Sequence, residues 1–189
     1  MPFETLIDMR EAENRAAETW EVLKAMRNKH ELARYEFTQT VRIAPLEQPH
    51  SHPVLTIGPS YNRNEEMFVA NYLHQQVKRY LLDHRGLEVD QALEKLAKLY
   101  PRRPAPGKFW SEDKADVHLD LIACRLELNL VQDLFGGSVA RKRVETAGVR
   151  RWCYREAWFR KARLIEMLDD LGITPVPDAR MPTALEPAA

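Results

Sequence analysis

The 189-residue chain has only two cysteines and no apolar run that approaches the length of a membrane span. Cys124 and Cys153 both fall in stretches whose pattern predicts helix, so a disulfide framework and a cysteine-built metal site are disfavoured. A helix that spans a membrane needs about 20 apolar residues in a row. The first residues also lack the basic and apolar regions of a secretory signal. We therefore expect a cytoplasmic protein that does not associate with a membrane.

The chain also lacks an excess of charge of either sign, because lysines plus arginines equal aspartates plus glutamates at 28 each. No global field therefore attracts nucleic acid or an anionic membrane, although a local basic patch is still possible. The length is that of one domain, which we place at residues 1–173. Residues 174–189 contain four prolines and few apolar side chains, a composition that predicts a flexible tail.

Hydrophobic periodicity predicts a mainly helical α+β domain. A long N-terminal helix is expected over 5–33, followed by short strands at 37–43 and 54–58 that form a small antiparallel pair. A helical bundle completes the domain. Its helices are expected at 64–83 with Asn64 as N-cap, 89–100, 112–135, 139–146 and 149–171, the last closed by Gly172.

The segment His74-Gln75-Gln76-Val77-Lys78 has the spacing of a zinc-protease helix but lacks two of its three chemical residues. In that helix, two histidines four residues apart bind zinc, and the glutamate after the first histidine is the general base. Here Gln75 stands at the base position and cannot accept a proton, and Lys78 stands at the second ligand position. The segment predicts no catalytic residue at position 75 and no bound metal. If zinc does bind, we expect His74 and Glu127 to hold it.

Glu127 projects from a largely apolar helix face, so a buried position would require a partner for its charge. One interpretation pairs it with Lys78, whose ammonium would occupy the space of the missing metal. The alternatives are a surface glutamate in an ordinary salt bridge, and a Lys78 side chain that extends to solvent.

Two further histidines, His50 and His52, lie in a proline-bounded turn and are two residues apart, so in extended backbone they would point the same way. They could join His74 in an unorthodox metal site. Alternatively, they cap the turn or bond backbone carbonyls. His118 lies nine residues before Glu127, on the opposite face of the same predicted helix.

Five short motifs together resemble a family of small, uncharacterised bacterial proteins with a zincin-like helix of the His-Glu-x-x-His type. They lie at 37–43, 49–56, 72–76, 118–127 and 152–155. The resemblance implies a minimal zincin core, with His74 and residue 78 as metal ligands, residue 75 as base and Glu127 completing the site. Because this chain departs from the pattern at 75 and 78, the resemblance implies a degenerate member.

Residues 141–163 combine many basic side chains with four aromatic ones and only two glutamates. Such a mixture can bind phosphates and stack on bases. More often the aromatic residues belong to the core and the arginines to a solvated face. If the zincin-like cleft exists, Tyr154 or Arg155 could reach it as a polar anchor for a ligand.

The leading interpretation is a non-catalytic, metallopeptidase-like protein that retains a cleft and binds an unidentified protein or small molecule. The first alternative is a metal-dependent hydrolase with His74, Glu127 and a noncanonical ligand such as His50 or His52. The second alternative is a module that binds nucleic acid or an acidic partner through residues 141–163. We do not expect nucleic-acid binding, and the sequence leaves the ligand and the oligomeric state open.

Overall fold

A computed structural model describes residues 9–38, 40–84, 86–101, 114–148 and 150–173. This part of the chain is mainly helical, as predicted, with one two-stranded sheet. The helices are α1 (Met9–Lys29), α2 (Glu65–His84), α3 (Gly86–Leu99), α4 (Lys114–Phe135), α5 (Gly137–Thr146), α6 (Arg151–Phe159) and α7 (Lys161–Asp170). Two 3-10 turns lie at Leu32–Tyr35 and Pro59–Tyr61. The predicted tail at 174–189 lies outside the described residues, as does most of the segment between the predicted helices at 89–100 and 112–135.

The small sheet is parallel, so the predicted antiparallel pair is wrong. β1 (Val41–Ile43) and β2 (Leu55–Ile57) run in the same direction, with Val41 opposite Leu55. Residues 44–54 turn back before β2 begins, and His50 makes a single antiparallel bridge to Thr56. The periodicity of side chains predicts where a strand lies but not its direction, which here depends on the path of this connection.

α4 is the central helix of the fold. Its residues from Leu121 to Leu128 are all buried, because α2, α3, α5, α6 and α7 pack around it. A helix surrounded in this way is buried on every face, and any polar side chain on it therefore needs a buried partner. Helix α2, which packs on α4, begins where predicted. Asn64 is its N-cap, because Asn64 Oδ1 accepts a hydrogen bond from the Met67 amide at 3.2 Å.

The predicted helix over 149–171 is two helices, α6 and α7, which meet at Arg160. In a continuous helix, the Ala157 carbonyl would accept from the amide of residue 161. Instead it accepts from Nη1 of the buried Arg125 at 2.7 Å. No proline or glycine marks this break in the sequence. The predicted end does hold: Gly172 follows α7 with a φ of 66°, the left-handed conformation that glycine tolerates best.

Among the residues described here, no helix has the combination of length and apolar content that crossing a membrane requires.

Candidate functional site

His74 and Glu127 meet at the contact between α2 and α4, and both are 0% exposed. Their Nδ1 and Oε2 atoms are 2.8 Å apart. An ionised carboxylate only accepts hydrogen bonds, so the imidazole hydrogen belongs on Nδ1 and the Nε2 atom carries a lone pair. That Nε2 is buried without a hydrogen-bond partner among the described residues, 3.9 Å from Asp120 Oδ1.

Two more helices hold the Glu127 carboxylate. From α5, Arg143 Nε donates to Glu127 Oε1 at 2.8 Å. From α6, the Tyr154 hydroxyl donates to Oε2 and accepts a bond of 2.7 Å from Arg143 Nη2. Glu127 is therefore a buried and fully engaged carboxylate, and the interpretation as a surface glutamate does not hold.

Lys78 does not pair with Glu127, so this predicted contact is wrong. Its Nζ donates to Asp120 Oδ1 at 2.9 Å, and Arg150 Nε donates to the other oxygen of Asp120 at 3.0 Å. The packing of α2 on α4 explains the difference. His74 on α2 contacts Glu127 on α4. Lys78, one turn later on α2, contacts Asp120, which lies two turns earlier on α4. The two helices are therefore antiparallel at this contact.

The surroundings of each ionisable group determine its charge. The groups form a charge cluster that consists of His74, Lys78, Asp120, Glu127, Arg143 and Arg150. Burial lowers the pKa of His74, the Arg150 charge lowers it further, and the bond to Glu127 only partly compensates. Burial raises the pKa of Glu127, but the Arg143 charge and the His74 hydrogen bond outweigh burial and lower it. For Asp120, burial likewise opposes ionisation, and Arg150 and Lys78 together lower the pKa.

A cavity of about 580 Å³ lies beside this charge cluster. Arg143, Arg150 and Tyr154 form one wall, and Asn71 and Gln75 of α2 contribute another. The other lining residues described come from the connection between the strands, the second 3-10 turn, the end of α5 and the segment that follows it. None of the twelve described lining residues carries a carboxylate.

Gln75 is the unusual residue of the cavity wall. Its side chain is 1% exposed, and its Nε2 and Oε1 atoms are both buried without a hydrogen-bond partner among the described residues. A buried amide without partners costs about 1–3 kcal/mol. The sequence singled out Gln75 only as the residue that replaces a general base, and no pattern in the sequence indicated its burial at a cavity.

The predicted histidine ligands lie elsewhere. His50 Nδ1 bonds the Gln48 carbonyl at 2.9 Å, which is the backbone role considered as the alternative. His52 Nε2 bonds Asp83 Oδ1 at 3.1 Å. Of the two proposed anchors on α6, Tyr154 lines the cavity, whereas Arg155 is exposed on another face of that helix.

One group in the described chain has the composition of a metal site, and it includes a cysteine that the sequence disfavoured. Atoms of His74, Cys124 and Glu127 that could act as ligands lie within 4.8 Å of one another. The spacing of Cys124 and Glu127, one helical turn apart, is the signal that could have indicated it. The donor set fits a cation poorly. Burial and the hydrogen bond with Cys153 raise the pKa of the Cys124 thiol well above its usual range, and Arg143 already neutralises Glu127.

The basic segment 141–163 does not form one continuous face. Arg143 and Arg150 point inward to carboxylates, and at the surface Arg141 pairs with Glu145 and Lys142 with Glu66. The aromatic residues divide in the same way. Tyr154 is buried, Trp152 and Trp158 pack partly against the core, and Phe159 is 72% exposed.

No family model, characterised protein or solved structure gives a significant match to this chain. The resemblance to zincin-like proteins therefore stays a prediction.

Proposed function

We propose that the protein is a non-catalytic binding protein whose 580 Å³ cavity holds a small molecule. The observation that carries the proposal is the Gln75 amide, which is buried at the cavity wall without a partner. Cavities of roughly 300–1,000 Å³ with a few convergent polar groups are the usual form of small-molecule sites. A ligand that bonds both atoms of this amide would remove the cost of burying it.

The state of the neighbouring groups supports binding rather than hydrolysis. An amide at position 75 has no basic lone pair with which to activate water. The groups that could act as acid or base nearby, His74 and Glu127, are engaged with each other and with Arg143. In this proposal, α2 retains the spacing of a zincin-like helix, and the pair of Lys78 and Asp120 replaces the second metal ligand.

The experiment uses nuclear magnetic resonance of the full chain with 15N-labelled side-chain amides. A panel of amino acids, organic acids, nucleosides and sugar phosphates is added at millimolar concentration. We expect at least one class to shift the Gln75 side-chain resonances. A panel that leaves these resonances unchanged would contradict the proposal.

Two tryptophan variants locate the binding site. A Cβ atom at Gly148, which lines the cavity, or at Gly137, at the start of α5, meets nothing within 4 Å. Gly148→Trp should therefore place a large ring at the cavity and abolish the shifts, whereas Gly137→Trp should keep them. Shifts that persist in Gly148→Trp would place the binding site elsewhere.

A metal-dependent hydrolase is the second candidate, because the ligand atoms of His74, Cys124 and Glu127 lie within 4.8 Å of one another. A bound metal would require ionisation of the Cys124 thiol and release of Glu127 from at least one of its present partners. Elemental analysis separates the two candidates.

A further inference from the structure

The charge cluster beside the cavity has one cation more than it has carboxylates. Lys78, Arg143 and Arg150 are the cations, and Asp120 and Glu127 are the anions. His74 is not counted as a cation, because its Nδ1 bonds Glu127 and its Nε2 has no hydrogen-bond partner in the described chain, the geometry of a neutral imidazole. A buried or half-buried charge is costly unless an opposite charge pairs with it. An anionic ligand would offset this excess of positive charge.

Arg150 is the cation best placed to bind such a ligand. It lines the cavity, and its contact with Asp120 uses Nε, one of the five donors of a guanidinium. Arg143 is less available, since Nε bonds Glu127 and Nη2 bonds Tyr154. The planar donors of arginine match the two oxygens of a carboxylate or a phosphate.

Gln75 sets a second requirement, because its side chain offers a donor and an acceptor in the same wall. A charged group alone would bond the NH₂ and leave Oε1 without a donor. A ligand with an amide or imide group can bond both atoms at once, as two amides do when they pair.

We infer that the ligand is a small organic oxyanion whose carboxylate or phosphate binds Arg150 and whose amide-like group binds Gln75. This inference rests on the proposed function, since it names the chemical class of the molecule that the cavity holds. The partners come from different helices: Gln75 lies on α2, and Arg150 immediately precedes α6. Asp120 acts as a positioning residue, because it fixes the Arg150 side chain through Nε.

Calorimetric titration with two matched pairs of probes tests the charge requirement. N-acetylglycine and N-acetylglycinamide differ in a carboxylate, and uridine 5′-monophosphate and uridine differ in a phosphate. Inorganic phosphate is the probe that lacks the amide-like group. We expect at least one charged member to bind ten times or more tighter than its neutral partner and than inorganic phosphate. The pair that shows this difference identifies the oxyanion as carboxylate or phosphate.

Variants then assign the two contacts. Arg150→Gln should remove the preference for the charged probe, whereas Arg150→Lys should retain part of it. Arg151→Gln is the matched control, because Arg151 is the exposed neighbour, and it should behave as the wild type. Gln75→Met should weaken the charged and neutral probes alike, since both carry the amide-like group. Circular dichroism establishes that each variant is folded, and the comparison of probes on the wild type requires no variant.

The possible failures are distinguishable. Equal affinity for charged and neutral probes, or a preference for the charged probe that survives in Arg150→Gln, would overturn the inference and leave the proposed function in place. If none of these probes binds but neutral molecules of the wider panel shift the Gln75 resonances, the inference is likewise overturned and the proposed function stays in place. If no molecule of either set shifts the Gln75 resonances, the proposed function itself fails.

Discussion

Gln75 and Gln76 are consecutive residues of α2 whose side-chain amides are both buried, yet their hydrogen bonding is opposite. Gln76 Oε1 accepts from the backbone amides of Phe37 and Thr38 at 2.8 and 3.0 Å. Its Nε2 donates to the Thr38 carbonyl and to the Tyr72 hydroxyl at 3.0 and 2.9 Å. Both amide atoms of Gln75 are without partners in the described chain. Gln76 therefore holds the segment before β1 against α2, whereas Gln75 faces the cavity.

This contrast predicts opposite effects on stability for the same substitution. Gln75→Met removes an amide that has no partner, so the free energy of unfolding should stay level or rise by about 1 kcal/mol. Gln76→Met leaves backbone groups of Phe37 and Thr38 unpaired and should lower it by about 3 kcal/mol. Urea denaturation of both variants measures the difference. Equal destabilisation would mean that the Gln75 amide has structural partners.

The stability of the protein should depend on pH through His74. Burial lowers the pKa of this imidazole below the 6.5 of an unperturbed histidine. Just below pH 6.5 the unfolded chain therefore binds a proton at this position that the folded chain does not, so the free energy of unfolding falls as the pH decreases. As the pH rises above 6.5, the unfolded imidazole also loses its proton and the slope from His74 fades.

Denaturant unfolding of the wild type and of His74→Gln between pH 5 and 8 checks this dependence. Glutamine can still donate to Glu127 but does not titrate, so the variant should lose part of the slope below about pH 6.5. A variant whose slope equals that of the wild type would show that His74 is not the titrating group.

The partner of Lys78 can be identified by coupling energies. We expect Lys78→Met and Asp120→Asn to be non-additive by about 1 kcal/mol, because both side chains are partly exposed. Lys78→Met and Glu127→Gln should be closer to additive. Alone, Glu127→Gln should cost about 3–5 kcal/mol, since the charge of the buried Arg143 loses its partner. A larger coupling with Glu127 than with Asp120 would contradict the observed pairing.

The metal content of the purified protein distinguishes the small-molecule binding protein from the metal-dependent hydrolase. We expect the purified protein to contain much less than one zinc ion per chain, because the Cys124 thiol is held protonated and Arg143 occupies Glu127. Elemental analysis checks this expectation. About one tightly held transition metal per chain, lost in His74→Ala, would instead support the hydrolase.

Nucleic acid should not bind at physiological salt. Two of the arginines in 141–163 are committed to buried or half-buried carboxylates, and the total charge is balanced. Fluorescence anisotropy with single-stranded and duplex oligonucleotides provides the test. Micromolar binding that falls steeply with salt and weakens on replacing Arg150, Arg151 and Arg155 would reverse this expectation, because phosphate contacts release counterions.

Much of the helical architecture follows from sequence, because the apolar period of a helix is local. Asn64 and Gly172 marked real boundaries for the same reason, since caps depend on neighbouring residues. The strand direction could not be predicted, because it depends on how residues 44–54 turn. The break at Arg160 was also hidden, because Arg125, far away in the sequence, takes the carbonyl that would have continued the helix.

For the site, the sequence identified His74 and Glu127 but not most of their partners. The spacing of each residue within its own helix was readable, whereas the offset between α2 and α4 was not. That offset decides whether Lys78 faces Glu127 or Asp120. Arg143 and Arg150 were noted only as members of a basic run, since the sequence does not show which arginines point inward.

The charge cluster also bears on how the protein folds. Its principal bonds join different helices: α2 to α4, and α4 to α5 and to the segment that starts α6. A partly folded state with α2 docked on α4 alone would bury Glu127 before Arg143 and Tyr154 could reach it. Such a state is unfavourable, because an incompletely paired buried charge costs several kcal/mol. Docking of the α5–α6 region should therefore be concerted with formation of the α2–α4 contact, so that the four helices open and close as one cooperative unit in hydrogen exchange.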